Sequence, residues 1–379
     1  MTARTSPPFR ADHVGSLRRP ESLMKAREHL LGAHDLDANF GRHHNAELAK
    51  LEDEAIRDVV KLQEAAGLRS ITDGEFRRRI WWSEFLLSLE NVVGNYRGSE
   101  TFRNDKGHTV PSPRVDVTGK IRWKESVNVA PFKFLKSVTK GTPKVTMPAP
   151  QTLYFYSKRE FVDASAYPDL EGMWSDLADA YVAELKALAD AGCTYVQMDE
   201  VVTCCLCDDK QRTKLKTRGD DPDRLLDLQI RAMNSIVARR PTGMTIAMHT
   251  CRGNYQGHWA AEGGYDPVAE RVFNEIKVDA LFLEYDTPRA GDFTPLRFFP
   301  KDKVLVLGLV STKTPKLEDA DALKRRIEEA AKYVDVDRLC ISPQCGFSSN
   351  YLGNPVTIED EKRKLELVVK TAESVWGSA

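Results

Sequence analysis

The chain has 379 residues, 41% of them hydrophobic, which is enough for one large α/β barrel or for two ordinary domains. Its 55 basic and 56 acidic residues leave a net charge of −1, without the positive field that nucleic-acid binding requires. The N-terminal stretch MTARTSPPFRADHVG lacks the apolar core of a signal peptide, and no run approaches the roughly 20 apolar residues of a membrane span. These features predict a cytoplasmic protein that binds neither nucleic acid nor membrane.

Short, β-branched apolar runs alternate with helical stretches along the chain. In DLEGMWSDLADAYVAELKALADAG the apolar residues recur at helical spacing, and Gly192 at its end is a typical helix stop. The predicted strands are 9–16, 69–74, 144–148, 194–199, 244–249, 278–284, 303–309 and 338–343. The predicted helices are 45–67, 170–191, 221–239, 265–276, 317–334 and 357–375.

Eight strands alternating with helices indicate parallel βα units, and the count favours a closed (β/α)8 TIM barrel formed as a single domain by residues 1–379. The GxGxxG and GxxxxGK[ST] fingerprints of open nucleotide-binding sheets do not occur in the chain. A barrel fold predicts that chemistry collects at the C-terminal ends of the strands, where the βα loops form the active face.

One long interruption separates the second and third predicted strands. Residues 91–143 are rich in Gly, Pro, Asn, Arg and Val and contain alternating stretches such as RVDVTGKIRW. We expect an insertion of irregular chain and hairpin. It is a candidate for a lid over the active face or for a subunit contact in a homo-oligomer, and a decorative surface loop is the alternative.

The seven cysteines are an odd number in a large chain without a secretion signal, which argues against a disulfide framework. Reduced thiols are then candidates for metal binding or reactivity, although a buried free cysteine also serves as a small hydrophobic residue. Three of them crowd together in TCCLCDD, as Cys204, Cys205 and Cys207. This spacing suits a single tetrahedral site poorly, so the cluster is expected to line a pocket or to be incidental.

Side chains that bind metals or protons stand at the ends of several predicted strands. They are Glu75, Asp199, Glu200, His249, Cys251, Glu284 and Cys345. The HxC pair alone is a weak signal, because a lone histidine or cysteine at a strand end is more often packed or hydrogen-bonded. Adding Cys345 and Glu284 completes a good zinc set, in which an imidazole and two thiolates are joined by an exchangeable carboxylate, as a catalytic site requires.

The same motifs, in chain order, resemble the catalytic C-terminal barrel of cobalamin-independent methionine synthase and its short single-barrel relatives. The matching stretches are DHVGSLRRP, ITDGEFRR, YVQMDE, HTCRGN, LEYD and SPQCGFSS, and they span nearly the whole chain. The resemblance implies a Zn²⁺ cofactor held by His249, Cys251, Glu284 and Cys345.

The resemblance also implies how the substrate binds. The backbone around Gly15 and Ser16 would hold the amino-acid carboxylate, and the catalytic acidic residues Glu75 and Asp199 would pair with the ammonium group. The plainer interpretation of these two acids is that they cap local structure and form strand-end hydrogen bonds. Coordination to zinc would deprotonate a thiol, which is otherwise a weak nucleophile at neutral pH.

Three departures from the family concern the methyl donor. The family's DxHS histidine after strand seven, which protonates the leaving folate nitrogen, is replaced here in GLVSTKTP by Ser311 or a neighbour. The folate-facing REGLP stretch is replaced by VVTCCLCDD. The second barrel of the long enzymes has no counterpart in these 379 residues.

The sequence therefore predicts a zinc-dependent S-methyltransferase that acts on a small thiol. The leading hypothesis is methyl transfer to homocysteine to give methionine, from 5-methyltetrahydrofolate, a methyl-corrinoid or another small donor. A second hypothesis is thiol alkylation like that of the epoxyalkane–coenzyme M transferases, which requires cations for a sulfonate; the candidates are Arg18, Arg19, Arg77, Arg78 and Arg79. A third, of another class, is a zinc- or redox-sensing binding protein that uses Cys204, Cys205 and Cys207.

Overall fold

The computed structural model describes residues 4–32, 43–95, 101–104 and 106–379. Its main sheet has six parallel strands, each hydrogen-bonded to the next along the chain. These strands are Val145–Pro148, Tyr195–Glu200, Thr245–Thr250, Ala280–Glu284, Val304–Val310 and Leu339–Pro343. Five of these strands begin and end within one residue of their predicted bounds. The strand Ala280–Glu284 begins two residues later than predicted and ends where predicted. The protein therefore has the α/β fold with a parallel sheet.

The two remaining predicted strands are shorter than expected. The segment predicted at 9–16 forms one parallel bridge, from Ala11 to Ile341 in the last strand of the sheet. The segment predicted at 69–74 contains the two-residue strand Ser70–Ile71, which pairs in parallel with Thr142–Pro143 just before Val145. The sequence pattern located both segments correctly but overestimated the length of regular pairing.

The helices predicted between the strands are all present. Leu170–Asp190 ends as expected, with Gly192 in the left-handed region at φ +90°. Asp221 caps the helix that begins at Pro222, and Thr357 forms a capping box with Asp360. The helices predicted from the pattern are Ala46–Ala65, Leu170–Asp190, Pro222–Ala238, Ala269–Glu275, Ala320–Ala331 and Ile358–Trp376. Further helices are Glu21–Leu31, Ser83–Leu86, Val129–Val138, Gln151–Ser157, Val202–Cys205 and Asp209–Thr217.

The strands are buried on both faces, and the two faces pack differently. One face joins the helices in a large apolar core. The other carries a small separate cluster contributed by consecutive strands: Tyr195, Ala247, Ala280, Phe282, Val306 and Cys340. Side chains alternate between faces with a period of two, so Asp199, His249 and Glu284 share this inner face at the carboxyl ends of their strands. The strand pattern thus aims three predicted site residues in one direction.

The predicted insertion contains two antiparallel pairings and a helix. Glu90–Asn95 pairs with Arg114–Arg122, Thr101–Arg103 pairs with Thr109–Pro111, and the helix is Val129–Val138. Residues 96–100 and residue 105 of this segment lie outside the described part of the chain. The hairpin Thr101–Pro111 also bridges to Trp259 through Arg103, which brings the insertion to the loop that follows Cys251.

None of the helices in the described ranges is long and apolar enough to cross a bilayer.

The buried Glu361 connects the C-terminal helix to the segment that carries Ser16. Its Oε2 accepts the backbone N–H of Arg18 at 2.7 Å. Burial raises the pKa of Glu361 to about 8, although its hydrogen bond with the Arg18 backbone and the Arg18 charge oppose the shift. The folded state therefore retains this proton over a pH range in which an unfolded glutamate loses it.

We expect Glu361 to make the folded state less stable as the pH rises from about 4.5 to about 8, because over that range only the folded state holds the proton. Glu361→Gln lacks this contribution. Between pH 4.5 and 8 its free energy of unfolding should therefore fall by about 2 to 4 kcal/mol less than that of the unaltered protein. Urea titrations of both proteins at several pH values measure the difference. Parallel pH profiles would contradict the assignment.

Candidate functional site

Three of the predicted metal ligands meet at the carboxyl end of the sheet. His249 lies near the end of the strand Thr245–Thr250, Cys251 follows that strand directly, and Cys345 lies in the turn after Leu339–Pro343. One ligand atom from each lies within 4.8 Å of the other two, and all three residues are buried. Among the described residues, this is the one group of three or more His, Cys, Asp or Glu side chains with such spacing.

The donor set fits zinc. The sulfur atoms of Cys251 and Cys345 are 3.7 Å apart, close to the roughly 3.8 Å that separates two thiolates on one tetrahedral zinc. Neither ring nitrogen of His249 has a partner in hydrogen-bond geometry among the described residues, although both are buried. A buried imidazole without such a partner costs free energy unless another group satisfies it, and a metal ion would do so.

The two thiols differ in acidity because they are in contact. Their sulfur–sulfur contact lowers the pKa of Cys345 well below its ordinary value, against the opposing effect of burial. The same contact, together with burial, raises the pKa of Cys251. The pair therefore loses its first proton readily, and metal binding would have to displace the second.

Glu284, the fourth predicted ligand, does not belong to this three-residue group. Its Oε2 accepts the backbone N–H of Arg252 at 2.6 Å, and its Oε1 lies 3.2 Å from the Arg289 guanidinium. Burial by itself raises the pKa of Glu284, but the charges of Lys313, Arg252 and Arg289 outweigh it and lower the pKa to about 2. Glu284 is thus a buried carboxylate held by cations beside the group.

Glu75 and Asp199 line a cavity together with His249, Cys251 and Cys345. Glu75 has a positive φ of 61°, and its Oε1 accepts the Thr146 hydroxyl at 2.6 Å. Its Oε2 is buried and has no hydrogen-bond partner among the described residues. A non-glycine residue in this backbone region is uncommon and clusters at functional sites.

Both carboxyl groups hold their protons more tightly than usual. Burial raises the pKa of Asp199 to about 8, with the Glu75 charge adding to the shift and His249 opposing it. Burial also raises the pKa of Glu75, against the effect of Arg78. A cation placed between them would favour both charged forms, so the pair is suited to bind an ammonium group.

Gly15 and Ser16 stand beside these acids. Gly15 has φ +130°, and a Cβ at this position would lie 2.4 Å from Thr146 Cγ2, so only glycine fits. Ser16 lines the cavity, and its carbonyl accepts the backbone N–H of Phe347 at 2.9 Å. The structure therefore places Ser16 in the cavity wall, whereas the adjoining Gly15 is not among the lining residues.

Close packing of Gly346 against Ser16 leads to a testable prediction. A Cβ on Gly346 would lie 1.9 Å from Ser16 Oγ, so in Gly346→Ala the hydroxyl has to leave its present position. We expect KM for the amino-acid substrate predicted from the sequence to rise about tenfold, which corresponds to the loss of one hydrogen bond to a charged group. The matched control is Gly172→Ala, whose Cβ meets neighbours only at 3.6 Å or more. An unchanged KM in Gly346→Ala would contradict a binding role for Ser16.

The two groups of residues behind the alternative hypotheses do not line the cavity. Cys204, Cys205 and Cys207 are buried in the apolar core and do not belong to the metal-capable group. Of the five arginines proposed for a sulfonate, none lines the cavity. Arg78 comes nearest, because its guanidinium lies 3.2 Å from Oε1 of the cavity residue Glu75. The others have contacts that include Leu352, Ser348, Asp53 and the Tyr351 ring, for Arg18, Arg19, Arg77 and Arg79 respectively.

The sequence pattern did not reveal the aromatic part of the cavity wall. It consists of Trp81, Phe102, Tyr156 and Tyr255, which come from four separate segments. Phe102 belongs to the insertion, and Tyr255 lies four residues beyond Cys251. Of these four residues, only Tyr255 could have been suspected from the sequence, because it directly follows the HTCRGN motif.

Comparisons with known proteins agree with the motifs. Residues 32–373 match the family model described as "Cobalamin-independent synthase, Catalytic domain". The uncharacterised protein YxjG of Bacillus subtilis (strain 168) is 40% identical over 380 residues, covering 98% of this chain and 96% of that one. A methionine synthase of Saccharolobus solfataricus is 26% identical over 339 residues, covering 88% of this chain and 86% of its own.

Solved structures show the same fold. A Listeria monocytogenes structure, provisionally described as a vitamin-B12-independent methionine synthase, has a TM-score of 0.75 at 33% identity, covering 99% of this chain and 100% of that one. A B12-independent methionine synthase from Shewanella sp. W3-18-1, in complex with selenomethionine, has a TM-score of 0.72 at 20% identity and 97% coverage of both chains. The chain therefore belongs to the cobalamin-independent methionine synthase family and carries that family's catalytic domain.

Proposed function

We propose that this protein is a zinc-dependent methyltransferase that converts homocysteine to methionine. The observation that carries the proposal is the convergence of His249, Cys251 and Cys345 in one cavity with Glu75 and Asp199. A soft metal site beside two carboxyl groups suits a substrate that has both a thiol and an ammonium group. Membership of the methionine synthase family supports the same substrate.

His249, Cys251 and Cys345 would hold the zinc. When bound, zinc would supply Lewis acidity that keeps the substrate thiol deprotonated at neutral pH. We propose Glu284 as the exchangeable fourth ligand. Its position on the same inner face of the sheet supports this role, as does its anionic state beside Arg252 and Arg289.

The remaining residues would orient homocysteine. Glu75 and Asp199 would receive the ammonium group, which restores the charged form of both acids. Ser16 and the backbone at Gly15 would receive the carboxylate. These contacts fix the sulfur next to the two cysteines, and such positioning accounts for much of the rate enhancement of a bimolecular transfer.

We further propose that residues 1–379 form one closed (β/α)8 barrel with 91–143 as an insertion. The bridge between Ala11 and Ile341 connects residues 9–16 to the last strand of the sheet, which supports closure of the barrel on that side. On its other side, Ser70 Oγ donates to Asp12 at 2.6 Å and Thr72 Oγ1 donates to the Gly15 carbonyl at 2.6 Å. Side-chain bonds thus link the first and second segments where regular strand pairing is missing.

The proposed function is tested by metal and thiol titration. The purified protein should bind one zinc per chain, and adding homocysteine to the cobalt-substituted protein should change the metal–sulfur absorption and release a proton. Coenzyme M, which lacks the amino-acid group, serves as the matched comparison and should produce the change only at much higher concentration. A spectrum insensitive to homocysteine would refute the proposal.

A further inference from the structure

The wall of the cavity has a composition that bears on the methyl donor. Four of its residues are aromatic: Trp81, Phe102, Tyr156 and Tyr255. Three others are acidic: Glu75, Asp199 and Glu200. Among the described residues that line the cavity there is no lysine and no arginine. Apart from Ser16, to which the proposed function assigns the amino-acid carboxylate, this wall presents aromatic and acidic side chains and no cationic side chain to a second ligand.

The aromatic residues are held close to the thiols. The Trp81 backbone N–H donates to the Ser349 carbonyl at 2.9 Å, which ties it to the turn that follows Cys345. Phe102 lies 5.6 Å, ring centre to ring centre, from Tyr255. A Cβ on Gly253 would lie 2.8 Å from Phe102 Cε1, so this ring packs directly on the backbone beside Cys251.

The hairpin that carries Phe102 is docked by specific contacts. Arg103 and Trp259 exchange two backbone hydrogen bonds, of 2.8 and 2.7 Å. His108 Nδ1 lies 2.9 Å from His258 Nε2, and the Arg103 guanidinium lies 3.0 Å from Glu262. The aromatic wall is therefore built by ordered contacts between the insertion and the loop after Cys251.

Aromatic faces attract methylated cations, because the ring quadrupole is negative above its plane and each methyl group of an onium carries part of the positive charge. An onium donor also makes small demands on the site, because a sulfonium leaves as a neutral thioether and needs no proton. Ser311 and Lys313, from the stretch that replaces the family's histidine, do not line the cavity, although Lys313 is near enough for its charge to act on Glu284.

We propose that the methyl donor is a small methylated onium compound, with a methylsulfonium as the preferred form. This inference rests on the proposed function. In the step, the electron pair of the homocysteine thiolate forms the new S–CH₃ bond. The C–S⁺ bond breaks with its electron pair remaining on the departing sulfur, so a thiolate and a sulfonium become two neutral thioethers. The four aromatic rings would surround the transferred methyl group.

Turnover assays separate the donor classes. The zinc-loaded protein is given homocysteine with S-methylmethionine, glycine betaine, triglutamated 5-methyltetrahydrofolate or methylcobalamin, and methionine is measured. We expect the sulfonium to give a kcat/KM at least tenfold above that of the folate. Turnover with the betaine and not with the sulfonium would overturn the preference for sulfonium. Turnover with the folate or corrinoid alone would overturn the inference and leave the proposed function intact.

Binding to the metal-free protein provides a readout independent of turnover. Glycine betaine should bind roughly three- to thirtyfold more tightly than 3,3-dimethylbutanoate, which has the same shape with a neutral carbon in place of nitrogen. Phe102→Leu should reduce this ratio, whereas Phe102→Tyr should preserve it. Equal affinities of the two isosteres for the unaltered protein would overturn the inference. Homocysteine titration of the cobalt form tests the proposed function separately.

Discussion

Cys345→Ser is expected to lower zinc affinity by at least about a hundredfold and to abolish measurable methyl transfer. Loss of residues that only support metal ligands already lowers metal affinity about 10- to 100-fold. A serine hydroxyl replaces a thiolate ligand poorly, because the hydroxyl stays protonated. Zinc content after dialysis against a graded chelator series measures the effect. The structural basis is the three-residue group, in which Cys345 Sγ lies 3.7 Å from Cys251 Sγ.

Cys193→Ser is the matched control for this prediction. Cys193 is also buried, its thiol donates to the Tyr195 carbonyl at 3.5 Å, and it lies outside the metal-capable group. Its replacement should leave zinc stoichiometry at one per chain. If Cys345→Ser kept full zinc at the same chelator strength as the control, Cys345 would not be a ligand.

Lys144→Met is expected to destabilise the fold by about 3 to 5 kcal/mol, the usual cost of removing one partner of a buried ion pair. The Lys144 ammonium lies 2.8 Å from Asp12 Oδ1, and both side chains are fully buried. It also donates to the His13 carbonyl and, at 2.9 Å, to Gln197 Oε1. The substitution would leave Asp12 charged and without a counterion in the interior.

Urea denaturation measures this loss, and two further variants separate its causes. Lys25→Met removes an exposed lysine paired with Glu21 and should leave the midpoint unchanged. Adding Asp12→Asn to Lys144→Met removes the uncompensated charge and should recover part of the stability. A double variant less stable than Lys144→Met would show that packing, and not charge, causes the loss.

The same network connects the interior of the sheet to the site. Gln197 accepts from Lys144 through Oε1 and donates to Asp199 Oδ1 at 2.6 Å through Nε2. Lys144→Met should therefore also weaken homocysteine binding, because it removes one of the hydrogen bonds that hold Gln197, the side chain that orients Asp199. This coupling was not evident in the sequence, where the lysine precedes an ordinary apolar run.

Much of the fold could be predicted because its signals are local. Helical periodicity located the helices, whose starts the structure shows to be capped by Asp221 and Thr357, and short apolar runs located the six strands of the sheet. The prediction failed in detail at residues 9–16, where only Ala11 pairs regularly. There the chain is held largely by side-chain bonds such as that of Asp12 with Ser70, which no periodic pattern encodes.

Part of the candidate site could also be predicted from local sequence patterns. A period of two along strands places Asp199, His249 and Glu284 on one face, and the HxC and PQCG motifs identify soft ligands. The pattern could not show that Glu284 turns toward Arg252 and Arg289, since that depends on how the loop after the preceding strand and the loop after its own strand pack around it. It also could not show that Phe102, from the insertion, reaches the cavity.

The sequence by itself determined the parallel α/β class, the strand ends that carry chemistry and the resemblance to a thiol-methylating family. These features follow from residue type and from the spacing of residues close together in sequence, and both can be read directly from the chain. Only the tertiary structure decided which strand ends share a cavity, which acid is turned toward arginines and which rings form the wall. Those outcomes depend on distances between segments tens to hundreds of residues apart, and packing sets these distances.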